Sequence, residues 1–140
     1  MLEDFSQVTR FRVPYADIDM MQHVNHIAYI RWAEEARAGY IADVLKENIH
    51  SSQGIILAKL EFSYERQLDY HEDVAIGCRI ARLGSKSLDF SYEIWSATHV
   101  QRAAFGSTPC VAFDYERNAS ILIPQDWRTK IAAFEKKPPH

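Results

Sequence analysis

Four residues with acid, base or nucleophile chemistry stand close together early in the chain. Asp17 and Asp19 are followed by His23 and His26, and an amphipathic pattern begins directly after Asn25. Two carboxylates and two imidazoles thus precede a helix N-terminus, where free backbone N–H groups stabilise developing negative charge. A carboxylate in that setting can attack a polarised carbonyl or activate a water molecule without Ser, Cys or metal. The segment therefore favours acyl transfer.

Two other interpretations of the same residues stay open. Asp17 and Asp19 could be loop residues that hydrogen-bond local backbone, which is common for an Asp-x-Asp pair. His23 and His26, three residues apart and preceded by the carboxylates, could instead bind a divalent metal. Because a helix start explains the cluster without a metal, we expect no metal site.

A long helix must follow the cluster. Apolar residues recur every three or four positions after Asn25, with charged residues between them. Asn25 itself is a suitable N-cap residue. The apolar positions are Tyr29, Trp32, Ala33, Ala36, Tyr40, Ile41, Val44 and Leu45. Such a wide and bulky apolar stripe needs a large surface to pack on, which predicts a sheet.

The rest of the chain supplies alternating segments for that sheet. One strand lies before the cluster, between Gln7 and Tyr15, and Pro14 marks its end or an edge position. Four more strands follow the helix, and the turn at Gly84-Ser85 joins two of them as a hairpin. They run through residues 60–64, 74–83, 88–94 and 105–113, with residues 99–102 as a connection before the last.

This succession predicts one α+β domain over residues 1–140, with an antiparallel sheet of about five strands and the long helix on one face. Pro124 opens a short amphipathic C-terminal helix, Gln125 to Phe134. We expect the tail at about 136–140 to be loose.

Composition excludes several classes of protein. A hydrophobic share of 47% is too high for a disordered chain. With 16 Lys and Arg against 19 Asp and Glu, the net charge of -3 gives no general attraction to nucleic acid or anionic membranes. Two cysteines, Cys78 and Cys110, are too few for a disulfide framework, which favours a reducing compartment. Because no signal-peptide pattern or apolar spanning stretch occurs, we expect a cytoplasmic protein without membrane partners.

A longer pattern surrounds the acidic pair and carries a family resemblance. Residues Tyr15 to Arg37 read Tyr-x-Asp-x-Asp-x-x-x-His-Val-Asn-x-x-x-Tyr-x-x-Trp-x-Glu-x-Ala-Arg. This pattern, together with the order of elements along almost the whole chain, resembles the hotdog-fold acyl-CoA thioesterases of the 4-hydroxybenzoyl-CoA thioesterase type. The resemblance implies a hotdog fold, a sheet wrapped around one long helix, and hydrolysis of an acyl-CoA thioester.

The resemblance also assigns roles to residues of the cluster. It implies that Asp19 is the catalytic carboxylate, as nucleophile or general base, and that Asp17 is the less suitable of the pair. A backbone N–H near His26 would polarise the thioester carbonyl, and Asn25 would position the helix start. Gln22 departs from the family, which usually has a small residue, often Gly, at that position.

Substrate and partner expectations come from the same resemblance. The family's basic hairpin implies that coenzyme A phosphates lie near the turn at residues 84–87, with Lys86 as first candidate contact, Arg82 as second and Ser87 beside them. A homodimer or homotetramer is implied, and an unsealed sheet edge favours it on physical grounds. No cofactor is expected, because coenzyme A is part of the substrate. The alternatives are a non-catalytic acyl-CoA binding module, a thioesterase acting on acyl carrier protein, and a dehydratase.

Overall fold

The computed structural model describes residues 1–48 and 50–140 and places the long helix, α1, at the centre of the fold. This helix runs His26–Asp43. Its buried residues are Ala28, Tyr29, Trp32, Ala33, Ala36 and Tyr40. These residues recur at the three- and four-residue spacing read from the sequence, so one face of α1 packs on the sheet.

Seven strands form one antiparallel sheet across the described residues. They are β1 (Gln7–Arg12), β2 (Gln53–Leu57), β3 (Glu61–Tyr64), β4 (Asp73–Leu83), β5 (Ser87–Ser96), β6 (Gln101–Asp114) and β7 (Ala119–Ser120). The main path is β1-β4-β5-β6-β2, and β3 and β7 also pair with β6. The sheet curls around α1, which confirms the expected α+β hotdog fold.

The strand count differs from the expected five because two short segments were not predicted as strands. β2 contains the apolar run Ile55-Ile56-Leu57, which lacks two-residue alternation, and β7 has only two residues. β6 begins at Gln101, inside the segment predicted as a connection. Its first residues have no alternating pattern and are recruited by pairing with β5.

A short second helix, α2, runs Gln125–Phe134, as the sequence predicts. No helix in the two described ranges is long and apolar enough to cross a membrane. The main core lies between α1, α2 and the inner face of the sheet. A smaller cluster on the outer face joins Leu2 and Phe5 to Ala75 of β4.

His140, at the end of the tail, pairs with β4. The N–H of His140 donates to the carbonyl oxygen of Ala81 at 2.9 Å, and the N–H of Leu83 donates back to His140 at 2.9 Å. β1 pairs with β4 only as far as Cys78. The rest of that β4 edge is therefore free for the tail to cover.

Candidate active site

The acidic pair lies in a closed loop between β1 and α1. A short 3-10 turn at Tyr15–Asp17 follows Pro14. Ile18 then pairs with Val24 across the loop. At the tip, the N–H of Asp19 donates to the carbonyl oxygen of His23 at 3.1 Å. These contacts hold the tip of the loop beside the start of α1.

Asn25 joins this loop to the helix and confirms the predicted N-cap. Its Oδ1 accepts the N–H of Ala28 at 3.0 Å. Its own N–H and its Nδ2 both donate to the carbonyl oxygen of Asp17, at 3.0 and 3.2 Å. One side chain therefore fixes the helix start relative to the acidic pair.

The first turn of α1 leaves backbone donors available. Ala28 is capped by Asn25, whereas within the described part of the chain the N–H groups of His26 and Ile27 have no protein acceptor. The positive end of the helix dipole adds to these donors. This arrangement can stabilise an oxyanion.

The two carboxylates differ in their surroundings. Asp17 is only 4% exposed, and its oxygens accept from the Arg31 guanidinium and, at 2.9 Å, from Trp32 Nε1. Asp19 is exposed, and its Oδ1 accepts the N–H of Met21 at 2.9 Å. Among the described residues nothing donates to Asp19 Oδ2, so this carboxylate can reach an external group.

Aromatic residues line the other side of the helix start. The hydroxyl of Tyr64, on β3, donates to the carbonyl oxygen of His26 at 3.0 Å. Its ring lies edge to face with Tyr29 at 5.2 Å, and partial burial raises the pKa of Tyr64. Sequence reasoning missed Tyr64, because its place in an alternating strand carries no sign of its contact with α1.

The two histidines do not converge on a common point. His23 Nδ1 lies 2.7 Å from Asp69 Oδ1, in the loop before β4. The ring of His26 lies instead against Tyr64, with ring centroids 6.4 Å apart. Over residues 1–48 and 50–140, no three His, Cys, Asp or Glu side chains are grouped as metal ligands.

The candidate phosphate contacts lie at the opposite end of β4. The loop with Asp19 is tied to residues just before β4, whereas Lys86 follows the end of this 11-residue strand. A strand of 11 residues is roughly 33 Å long when straight. Asp19, Asn25 and His26 thus belong to the loop and helix start near one end of β4, and a second group, Arg82, Lys86 and Ser87, lies at the other end.

Within that second group, Lys86 is the residue whose charge has no ion-pair partner among the described residues. Arg82 donates from Nε and Nη2 to Asp89, both at 2.8 Å, and from Nη2 to Ser87 Oγ at 2.9 Å. The paired carboxylate of Asp89 raises the pKa of Arg82. Lys86 has an exposed side chain and a fixed backbone, because its carbonyl oxygen accepts the N–H of Ala112 at 2.9 Å.

Cavities beside α1 do not enclose Asp19. A cavity of about 870 Å³ lies between β1, α1 and α2, with Phe11, Trp32 and Phe134 in its wall. Another of about 610 Å³ lies between the C-terminal half of α1 and β2, with Ile41 and Ile55 in its wall. Asp19 lines neither cavity, so its carboxylate stands on an open surface of the single chain.

Comparison with known families and structures identifies relatives of the chain. The family model of the thioesterase-like superfamily matches residues 13–131. Among curated proteins no sequence matches significantly. The individual relatives described next are therefore solved structures.

Three solved structures illustrate the similarity. A protein from Pseudomonas aeruginosa strain PAO1 is 20% identical with a TM-score of 0.85, covering 96% of this chain and 94% of that chain. A 1,4-dihydroxy-2-naphthoyl-CoA thioesterase from Synechocystis is 17% identical with a TM-score of 0.78, covering 89% and 94%. A gentisyl-coenzyme A thioesterase is 22% identical with a TM-score of 0.78, covering 89% and 99%. At these identities the matches establish the shared fold.

Proposed function

Because the chain belongs to the thioesterase-like superfamily, we propose that it hydrolyses an acyl-coenzyme A thioester to the free acid and coenzyme A. The observation that carries the proposal is the exposed Asp19 carboxylate beside the unpaired N–H groups of the α1 start. Two relatives of the same fold are named as thioesterases of acyl-CoA compounds, which supports coenzyme A as the carrier. Within the superfamily, we propose that it is a thioesterase of the 4-hydroxybenzoyl-CoA thioesterase type.

Asp19 is the proposed catalytic carboxylate. As a nucleophile, it forms a C–O bond to the thioester carbon while the C–S bond breaks, and the coenzyme A thiolate leaves and takes a proton from water. Water then hydrolyses the resulting anhydride. As a general base, Asp19 instead accepts a proton from the water that attacks the same carbon. The C–S bond then breaks, and the leaving coenzyme A thiolate takes up a proton.

The helix start supplies the proposed electrostatic stabilisation. Charge develops on the carbonyl oxygen in both routes, and the N–H groups of His26 and Ile27 are free to receive it. Asn25 holds that turn by capping Ala28 and by donating to the carbonyl oxygen of Asp17. The reaction as proposed needs no metal or redox cofactor.

A second copy of the chain completes the proposed site. Of the two sheet edges, β1 exposes Thr9, Arg10 and Arg12, which disfavour edge pairing. The β2 and β3 edge instead exposes apolar side chains, namely Ile56, Leu57, Leu60 and Tyr64, each between 37% and 48%. An apolar edge with unpaired backbone groups favours a homodimer, from which a homotetramer can be built.

Antiparallel pairing of that edge unites the two groups of candidate residues. Tyr64, at one end of the edge, contacts His26, and Gln53, at the other end, pairs with Asp114 of β6 near the Lys86 turn. A two-fold axis between them brings the Lys86 turn of one protomer towards the Asp19 loop of its partner. Lys86 is then the preferred contact for a coenzyme A phosphate, with Ser87 beside it and Arg82 held by Asp89.

Thiol release from a panel of acyl-CoA substrates tests the proposed activity. Benzoyl, short-chain and long-chain acyl-CoA compounds are assayed with a thiol-reactive dye, and acyl carrier protein thioesters are assayed in parallel. Release from acyl-CoA supports the proposal and ranks the acyl groups by kcat/KM. Binding without release would indicate a binding module, and release from carrier protein alone would make that thioester the substrate.

The dimer has its own test in solution. Light scattering coupled to size exclusion should give at least twice the 16.2 kDa chain mass. Leu57→Lys, which places a charge on the apolar edge, should give monomers with little thioesterase activity. Arg10→Glu, on the other edge, is the matched control and should leave the mass unchanged.

A further inference from the structure

A polar cavity of about 410 Å³ lies on the outer face of the sheet, away from α1 and the Asp19 loop. Its roof is the N-terminal segment, residues 1–5, and its floor includes Arg79 of β4 and Ser91 of β5. The roof is fixed at one end by Phe5, which packs so closely on Gly77 that a Cβ there would lie 2.5 Å from the ring. The cavity is therefore a built feature of the fold.

Arg79 brings to this cavity a charge that makes no direct ion pair with a described residue. The residue is 7% exposed, and its Nη2 donates to the carbonyl oxygen of Lys137 at 2.7 Å. Its Nε is buried without any hydrogen-bond partner, and no carboxylate among the described residues forms an ion pair with it. Because Arg stays protonated in proteins, a buried guanidinium without an anion is unfavourable.

The acidic residues of the cavity wall already have partners. Asp4 Oδ2 accepts from Lys137 Nζ at 2.7 Å, and Glu93 accepts from Arg102 at 2.8 Å and from Trp95 Nε1 at 3.2 Å. The side chain of Glu3 is 80% exposed at the rim, where it contacts the Met1 ammonium group. These contacts leave the guanidinium of Arg79 with an unbonded Nε and no direct ion pair to a described carboxylate.

A buried carboxyl near the floor does not provide that partner. Glu135 Oε1 accepts the hydroxyl of Tyr40 at 2.8 Å and the N–H of Ile80 at 2.9 Å. Its Oε2 makes no hydrogen bond, to Arg79 or to any other described residue. Burial raises the pKa of Glu135, which further reduces its value as a counterion.

We propose that this cavity binds a small oxyanion, a phosphate or carboxylate group, through the guanidinium of Arg79 and the hydroxyl of Ser91. A planar guanidinium donates two parallel hydrogen bonds to such a group, and a hydroxyl adds a third donor. The volume is in the range of small-molecule sites. Because the cavity is on the opposite face of the sheet from α1, the proposal does not depend on thioester hydrolysis.

Thermal unfolding in the presence of probe anions tests the site. Inorganic phosphate and acetate are each compared with chloride at matched ionic strength, so that general screening cancels. At ten times its Kd, a bound anion should raise the Tm of the wild-type protein by about 3–6 °C above the chloride value. A rise with phosphate alone would narrow the ligand class to phosphate compounds within the proposal.

Three variants decide whether the cavity is responsible. Arg79→Met should abolish the difference between oxyanion and chloride, and Ser91→Ala, which leaves the Lys137 contact intact, should weaken the affinity about threefold to tenfold. Arg117→Met, in the turn after β6, should behave as wild type. Equal Tm values in oxyanion and chloride for the wild type, or an undiminished rise in Arg79→Met and Ser91→Ala, would overturn the proposal.

Discussion

Asp17 and Asp19 lie two residues apart in one loop, but their carboxylates have opposite surroundings. Asp17 is buried and held by Arg31 and Trp32, whereas Asp19 is exposed and accepts a single local N–H from Met21. A saturated, buried carboxylate stabilises structure, and an unsaturated, exposed one is free for chemistry. Under the proposed function the same residue type serves two purposes, and tertiary contacts decide which carboxylate serves which.

The largest expected effect is on turnover and comes from Asp19→Asn. This change removes the charge and keeps the shape, so kcat should fall about 10²–10⁴-fold with little change in KM. Steady-state thiol release measures both constants. Circular dichroism and light scattering should match the wild type, and a loss of fold in this variant would contradict the assignment of Asp19 to chemistry.

Asp17→Asn should instead act mainly on stability. The amide places a donor against Arg31 while the partner oxygen of Trp32 is retained, so the free energy of unfolding should fall by about 2–3 kcal/mol. The expected loss is smaller than for a fully buried ion pair, because the Arg31 side chain is 49% exposed and can reach water. Urea denaturation checks the value, and a loss below about 0.5 kcal/mol would remove Asp17 from its structural role.

Glu135 sharpens the comparison because it is buried like Asp17 but only half satisfied. Burial raises its pKa above 4.5, so the folded state holds this proton more tightly than the unfolded state. The stabilisation that protonated Glu135 gives to the folded state is therefore lost as the pH rises from the pKa of the unfolded state through the pKa of the folded state. Glu135→Gln should be more stable than wild type at pH 8, by about 1 kcal/mol, and less dependent on pH. Denaturation at pH 5 and pH 8 measures this, and an equal pH dependence in both proteins would refute it.

Gln22, in the turn between Asp19 and His23, should give the smallest effect. The φ of Gln22 is 66°, in the left-handed region that favours glycine. This backbone angle explains why the family that the sequence resembles usually has a small residue at this position. Gln22→Gly should raise the free energy of unfolding by about 0.5 kcal/mol, since relief of backbone strain exceeds the added entropy of the unfolded chain. The matched change Gln101→Gly, within β6, should destabilise.

The elements of the site were more predictable than their contacts. The start of α1 could be predicted from the spacing of apolar residues and from the Asn25 cap, because both signals are local in sequence. The exposed state of Asp19 and the burial of Asp17 depend on Arg31 and Trp32, which stand 14 and 15 residues after Asp17. No local pattern records such partners.

Because local patterns do not record tertiary partners, the strand β2 and the pairing of the tail were not predicted either. β2 has no alternating pattern and forms because β6 offers it a pairing edge, from Gln53 opposite Asp114 to Leu57 opposite Cys110. His140 pairs with β4 at Ala81 and Leu83, along the part of the strand that β1 does not reach. The distance between Asp19 and Lys86 likewise follows from topology, which single-residue signals do not contain.

The division of roles between the two aspartates is tested by measuring thiol release and unfolding free energy side by side for wild type, Asp17→Asn and Asp19→Asn. We predict a crossed result: Asp19→Asn loses turnover and keeps wild-type stability, while Asp17→Asn loses stability and keeps far more turnover. Near-normal turnover by a folded Asp19→Asn protein would contradict it.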